Sequence, residues 1–209
     1  MTLLAWVMLA FLAGSLPFSV WIGALVLRTD IRRHGDGNPG ATNVLRSGGK
    51  KWGAVALLLD SHKGAIPVGL AFFGAGLAGW PLVAVALAPV AGHAFSPFLR
   101  FRGGKAVAVT FGIWSGLTLW QVPTILGLLL GAWFALVANS GWVVLLAMLS
   151  LLLYLGLAGA DPTLLAVWLG NSLVLAWKHR SELARQSELR PWLRKLVDTV
   201  PRDRSSIEE

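Results

Sequence analysis

The sequence predicts an all-α integral membrane protein with about seven transmembrane helices, an N-terminus outside the cell and a cytoplasmic C-terminus. Composition, the length of the apolar runs and the placement of the charges support this prediction. Of the 209 residues, 56% are hydrophobic and only 13% are charged, and the mean hydropathy is +0.67. A soluble domain carries about 25% charged residues. The composition therefore excludes a disordered chain and argues against a soluble globular domain.

The apolar runs define the helices. Most approach the roughly 20 residues that cross a bilayer, and turn residues such as Gly79-Trp80-Pro81 separate them. We expect residues 1–180 to form a single transmembrane helical domain. Residues 181–209 are expected to form a polar cytoplasmic tail with a short interfacial helix over about 182–197. The predicted spans are residues 2–27, 53–78, 81–99, 106–120, 123–138, 141–158 and 162–178.

The positive charge is concentrated in three blocks. The net charge is +8, and all of the 18 Lys and Arg residues except Lys63 lie in 28–51, 100–105 or 178–209. Cytoplasmic loops collect Lys and Arg, and seven spans place all three blocks on the same side. No nucleic-acid partner is expected, because no soluble domain carries this charge. The chain has no Cys, and its four His lack metal-site spacing, so neither a metal nor a cofactor is expected.

Three ionisable residues lie within the predicted spans, namely Asp60, Lys63 and His93. Such residues are costly inside a bilayer and usually functional. Asp60 and Lys63 are i,i+3 neighbours that can pair, so they are either a self-neutralising structural pair or part of a site. A lone His on an apolar face is usually a packed residue. All three fall in the inner half of the membrane, however, which favours a supporting role in a site open to the cytoplasm.

Two of the basic blocks also contain glycines. Glycine-rich backbone can form an anion-binding nest, and a helix that begins near Ala41 would point its positive end at the same place. Either block alone is also typical of a flexible turn with charges that set topology. Together, on one face, they predict a substrate that carries phosphate. The candidate phosphate-binding residues are Gly37, Asn38, Gly40, Ala41, Thr42, Asn43 and Arg46 in the first block, and Gly103, Gly104 and Lys105 in the second.

The motifs around these residues resemble those of a known family, the bacterial acyl-phosphate:glycerol-3-phosphate acyltransferases. The similarity covers about residues 1–112, and Lys178-His179-Arg180 resembles the closing motif of the family. The motifs that carry it are Gly14-Ser15-Leu16-Pro17-Phe18, Asp30-Ile31-Arg32, Gly37 to Arg46, Leu58-Leu59-Asp60 with Lys63-Gly64, Gly92-His93, and Phe101-Arg102-Gly103-Gly104-Lys105.

The resemblance implies a seven-span inner-membrane enzyme of bacterial phospholipid synthesis. Its partners would be acyl phosphate, glycerol 3-phosphate and membrane lipid, and its products 1-acylglycerol 3-phosphate and phosphate. An acyl phosphate is already activated, so the site needs to hold two phosphates and bring the hydroxyl to the carbonyl. On this interpretation the residues from Asn38 to Asn43 and Arg46 bind one phosphate, and Lys105 with Gly103 and Gly104 binds the other. His179 helps to position or deprotonate the acceptor hydroxyl, with the phosphate itself as the alternative proton acceptor, and His179 and Lys105 are the expected catalytic residues.

The chain departs from the family pattern at three places. Asp36 stands where the family usually has Ser, and Glu182 stands where it usually has Asn. A Thr-Arg-Tyr-Val-Ser-like motif between spans five and six is replaced by residues 138–142. A smaller change is Ala106, where the family prefers Gly. Two alternatives therefore stay open: a non-catalytic or substrate-shifted paralogue of the same fold, and a small anion transporter.

Overall fold

The computed structural model describes residues 1–198, and its regular elements there are helices apart from one isolated β-bridge between Val137 and Leu189. Residues 199–209, the end of the predicted tail, lie outside the described residues. The prediction of an all-helical protein is confirmed. The α-helices are α1 (Leu3–Ser15), α2 (Phe18–Trp21), α3 (Ala41–Gly69), α4 (Gly79–Ala94), α5 (Val107–Thr118), α6 (Gln121–Leu136), α7 (Ser140–Leu157), α8 (Pro162–Lys178), α9 (Arg180–Leu183) and α10 (Pro191–Asp198).

Each predicted span contains a helix, but the boundaries differ in informative ways. The first span is broken at Leu16 and Pro17, because Pro17 has no N–H to continue the helix. Helix α3 begins at Ala41, as expected, and continues into the second span across a kink at Gly49. The predicted tail helix over 182–197 is wrong as a continuous element, since α9 ends at Leu183 and α10 begins at Pro191.

Some of the apolar helices are long enough to cross a membrane, and others, such as α5 and α6, are shorter. Four helical segments are long and apolar enough to cross a membrane: Leu3–Val26, Ala41–Gly74, Gly79–Leu99 and Ser140–Leu157. Helix α5 has only 12 residues, which is about 18 Å of helix against a hydrocarbon core of about 30 Å. By length alone, the described residues therefore support at least four membrane crossings.

The core is built around α4, which packs against α1, α3, α5 and α8 and is the most buried of the four long segments. Helices α3 and α5 are also in extensive contact. Gly112 on α5 makes that contact possible, because a side chain there would overlap the backbone at Ser61. Small residues let helix backbones approach closely, which raises the number of van der Waals contacts.

One end of the helical bundle collects the polar connecting segments. We call it the polar end and define it as residues 28–40, 95–106, 137–140 and 179–190. Side-chain contacts join these segments to one another, including those of Lys105 with Asp36 and Glu182. The three basic blocks, which are far apart in sequence, are therefore neighbours at this end. The candidate site lies here.

Candidate active site

The first two basic blocks meet across an open cavity of about 740 Å³ at the polar end. Arg32, Gly37 and Pro39 line it from the first block, and Arg100 and Arg102 line it from the second. Guanidinium groups that face a solvent-filled cleft attract anionic ligands and raise their local concentration. The side-by-side placement of the two blocks agrees with the sequence expectation of a shared anion-attracting face.

The segment before α3 is organised around the buried side chain of Asn43. Its Nδ2 donates to the Asn38 carbonyl at 2.9 Å and to Asp36 Oδ1 at 3.1 Å, and its Oδ1 accepts from Arg46 Nη1 at 3.3 Å. The sequence assigned Asn43 to a phosphate, but the structure shows its amide holding the loop together. Arg46 itself remains exposed.

The other predicted residues of this block surround that centre. Gly40 is the residue before the first turn of α3, and its N–H donates to Asn38. Ala41 and Thr42 head the helix, where backbone N–H groups have no carbonyl from a preceding turn and can face an anion. Thr42 is exposed, and Gly37 faces the open cavity.

Lys105 is held between two carboxylates. Its Nζ donates to Asp36 Oδ2 at 2.5 Å and also contacts Glu182 Oε1. Glu182 Oε2 accepts a hydrogen bond from Ser140 at 3.0 Å, and its carbonyl accepts one from Asn139 at 2.8 Å. The three places at which the sequence departs from the family pattern therefore form a single hydrogen-bonded network around Lys105. The sequence did not reveal this network, because its members lie up to 146 residues apart.

His179 is buried beside this network, at the end of α8. Its Nδ1 lies 2.9 Å from the carbonyl oxygen of Leu175. A carbonyl only accepts hydrogen bonds, so Nδ1 carries the proton and Nε2 of the neutral ring keeps a lone pair. In this tautomer Nε2 is the ring nitrogen that can accept a proton.

The same contacts set the protonation states. Partial burial alone would lower the pKa of Lys105, but its hydrogen bonds to Asp36 and Glu182 outweigh burial and raise it. Partial burial alone would raise the pKa of Asp36, but hydrogen bonds from Lys105, from the Asn38 N–H and from Asn43 lower it. Burial lowers the pKa of His179 below its ordinary value of 6.5. At neutral pH the network therefore contains a charged ammonium and an ionised Asp36, and the imidazole beside it is uncharged.

The turn that precedes Lys105 is packed rather than open. The N–H of Gly104 donates to the His93 carbonyl at 3.0 Å, and a side chain at Gly103 or Gly104 would overlap His93. In this structure the Gly104 N–H is therefore occupied and not available to a phosphate. His93 lies in the last turn of α4, which ends at Ala94 and not near Leu99. Lys178, the last residue of α8, donates to the carbonyls of Ala94 and Gly103 at 2.9 Å each. These two hydrogen bonds attach the turn before Lys105 to the end of α8.

The sequence assigned no role in the site to Lys178 or Ser140. Lys178 lies directly before His179, and Ser140 lies in the altered segment 138–142. Their neighbourhood was therefore visible in the sequence, but their contacts required the folded structure.

Asp60 and Lys63 form the predicted pair, with Lys63 Nζ 2.7 Å from Asp60 Oδ1. Ser19 donates to Asp60 at 2.6 Å, and Lys63 donates to the Leu16 carbonyl at 2.8 Å. Both side chains therefore hydrogen-bond to residues at or next to the break in the first span, which supports the interpretation of Asp60 and Lys63 as a structural pair. Among residues 1–198, no group of three or more His, Cys, Asp or Glu side chains has the arrangement of a metal site.

Apolar helices long enough to cross a membrane, with a neutral histidine and a charged lysine collected at one end, define a membrane protein equipped for acid–base chemistry at that end. Comparison with known proteins agrees with this class. The family model for glycerol-3-phosphate acyltransferase matches residues 4–188. The chain is 38% identical over 191 residues to glycerol-3-phosphate acyltransferase 1 of Thermotoga maritima, a match that covers 84% of this chain and 93% of that protein. It is 41% identical over 184 residues to glycerol-3-phosphate acyltransferase of Desulfovibrio desulfuricans, over 86% of this chain and 79% of that protein.

A solved structure shows the same fold. The crystal structure of PlsY (YgiH), an integral membrane glycerol 3-phosphate acyltransferase, in its glycerol 3-phosphate form superimposes with a TM-score of 0.80 at 31% identity. The match covers 93% of this chain and 98% of that one. The chain belongs to the glycerol-3-phosphate acyltransferase family, and it is a multi-pass membrane protein of an acyltransferase enzyme family.

Proposed function

We propose that this protein transfers a fatty acyl group from acyl phosphate to the 1-hydroxyl of glycerol 3-phosphate. The products are 1-acylglycerol 3-phosphate and inorganic phosphate, the first step of a phospholipid synthesis. The observation that carries the proposal is the neutral His179 beside Lys105 at the polar end. Membership of the family indicates glycerol 3-phosphate as the acceptor substrate, and the resemblance of the motifs indicates acyl phosphate as the donor.

The chemistry needs no nucleophile from the protein. Nε2 of His179 takes the proton as the 1-hydroxyl oxygen forms a bond to the acyl carbonyl carbon, and the bond from that carbon to the phosphate oxygen breaks. The electron pair leaves with the phosphate. Lys105 stabilises negative charge on the phosphates and on the reacting oxygen, and the arginine-lined cavity attracts both anionic substrates.

The test uses purified protein with a long-chain acyl phosphate and glycerol 3-phosphate, and measures phosphate release together with the lipid product. We expect His179→Ala and Lys105→Ala each to lower kcat about 100-fold or more. Lys50→Ala is the matched control, because Lys50 is an exposed base in the first block without a place in the site. Phosphate release by the wild type at the rate of buffer alone would refute the proposal. An acyl-coenzyme A donor should give no product.

The first alternative, a paralogue that binds these ligands without this reaction, is favoured by one observation. Two carboxylates already neutralise Lys105. Tight binding of glycerol 3-phosphate or acyl phosphate without turnover would establish that alternative. Uptake of an anion into sealed vesicles without an acyl product would establish the transporter.

We also propose seven membrane crossings in a bacterial inner membrane, with the N-terminus outside and residues 181–209 as a cytoplasmic tail after a membrane domain of residues 1–180. The chain has no Cys, so single cysteines are unambiguous labels. Thr2→Cys should react with a membrane-impermeant maleimide in intact cells, and Lys51→Cys only after the cells are broken. The reverse labelling pattern would refute the orientation.

A further inference from the structure

The two carboxylates on Lys105 define how this particular chain can bind a phosphate. A lysine ammonium has three N–H donors, and Asp36 and Glu182 take two of them. The Lys105 side chain is 21% exposed, that of Glu182 is 19% exposed and that of Asp36 is 40% exposed. The ion pairs are therefore only partly screened by water. A ligand that reaches Lys105 meets both carboxylates there.

Both carboxylates are held in place by other groups. Asn43 donates to Asp36, and Ser140 donates to Glu182. A freely rotating surface carboxylate would swing away from an incoming anion at little cost. To move away from Lys105, Asp36 and Glu182 must also break or rearrange the hydrogen bonds from Asn43 and Ser140. Moving away from Lys105 is therefore unfavourable for both carboxylates.

Charge makes the competition direct. A phosphate monoester carries about two negative charges at neutral pH. If it approached Lys105 with both carboxylates in place, three anionic groups would surround a single ammonium, and like charges at such distances repel strongly. A neutral hydroxyl acceptor would meet no such repulsion.

We propose that Asp36 and Glu182 are specificity-determining residues that compete with the phosphate of the acceptor for Lys105. Glycerol 3-phosphate must displace them, so they raise its KM and reduce the preference of the site for phosphorylated over neutral acceptors. This inference rests on the proposed function, because it assigns the acceptor's phosphate to Lys105.

The test replaces each carboxylate with its uncharged isostere, Asp36→Asn and Glu182→Gln, singly and together. Each single substitution should lower the KM for glycerol 3-phosphate about tenfold, the value of one charged hydrogen bond, while the KM for glycerol stays unchanged. Glu188→Gln is the matched control, since it removes a negative charge from an exposed position only six residues from Glu182. It should leave both KM values unchanged.

A second measurement keeps the inference testable without turnover. Calorimetric titration of glycerol 3-phosphate, and of glycerol as the neutral probe, should show tighter binding of the phosphate ligand alone in Asp36→Asn and Glu182→Gln. If the carboxylates only hold Lys105 in position, the substitutions will weaken binding or lower kcat, and the inference is overturned. It is also overturned if the affinity for glycerol 3-phosphate does not change. If tighter binding is found without acyl transfer by any variant, the proposed function fails and the inference about Lys105 stands.

Discussion

The buried Asp60–Lys63 pair gives the sharpest test of whether an intramembrane charge is structural or catalytic. The side chains are 1% and 2% exposed. At their separation of 2.7 Å, Coulomb attraction is about 6 kcal/mol for an effective dielectric constant near 20. The loss of hydration offsets much of that. Lys63→Met would remove the ion-pair partner of the buried Asp60 carboxylate, which costs about 3–5 kcal/mol of unfolding free energy.

The assay is thermal unfolding of the purified protein in detergent, together with acyl transfer at a temperature where each variant is folded. Lys63→Met and Asp60→Asn should each lower the melting temperature by roughly 10 °C. The double variant should be more stable than either single variant, because it removes both charges together. We expect folded variants to keep most of their activity, since Lys63 contacts the break at Leu16 and Asp60 contacts Ser19 in α2, directly after the break.

A surface pair provides the control. Asp30 and Arg32 lie 2.8 Å apart, with 34% and 51% of their side chains exposed. Asp30→Asn should therefore cost less than about 1 kcal/mol. The structural interpretation of Asp60 and Lys63 is refuted if Lys63→Met melts like the wild type but has lost acyl transfer. That result would place the pair in the catalytic machinery.

Three further predictions concern single positions. Ala106 is buried and has a left-handed φ of 65°, which costs a non-glycine residue about 1–2 kcal/mol. Ala106→Gly should therefore leave the melting temperature unchanged or raise it, whereas the control Ala147→Gly inside α7 should lower it. Equal decreases in melting temperature for the two variants would contradict the reasoning. Gly112→Ala should destabilise the protein by about 1–3 kcal/mol in the same melting assay, because the added methyl group overlaps the carbonyl oxygen of Ser61; an unchanged melting temperature would show that α3 and α5 can separate. Burial lowers the pKa of His179 below 6.5, so its ring stays neutral as the pH falls through 6.5, and the acid limb of kcat against pH should lie below that value. A limb above pH 6.5 would exclude a buried neutral His179 as the base.

Much of the fold could be predicted because it depends on local sequence. Apolar runs between turn residues placed the last four spans within two residues of α5, α6, α7 and α8, and the glycine-rich stretch before Ala41 marked the start of α3. The second span was predicted to begin at residue 53, whereas α3 already begins at Ala41. The interruptions were harder to predict. Helix is interrupted between Leu183 and Pro191, and on either side of this interruption Glu182 and Leu189 contact the segment between α6 and α7. Such tertiary contacts override a weak local preference for helix.

The site shows the same division. Motif and residue type indicated His179 and Lys105, and the structure places His179 beside the hydrogen-bonded network of Lys105. Asn43 and Gly104 carried the same kind of signal, yet their polar groups are taken up by the loop and by His93. A sequence identifies a group that can bind a phosphate, but it does not show whether another part of the chain already occupies that group.

The sequence by itself determined the helical membrane class of this protein and the family to which it belongs. Hydrophobicity and charge act on each segment separately, so a bilayer-spanning helix or a basic loop can be recognised from its own residues. Only the tertiary structure showed that the unusual carboxylates contact Lys105. Asp36 and Glu182 are separated by more than a hundred residues, and they act on Lys105 through distances of a few ångströms. An interaction that depends on three-dimensional distance is fixed only when the helices have packed.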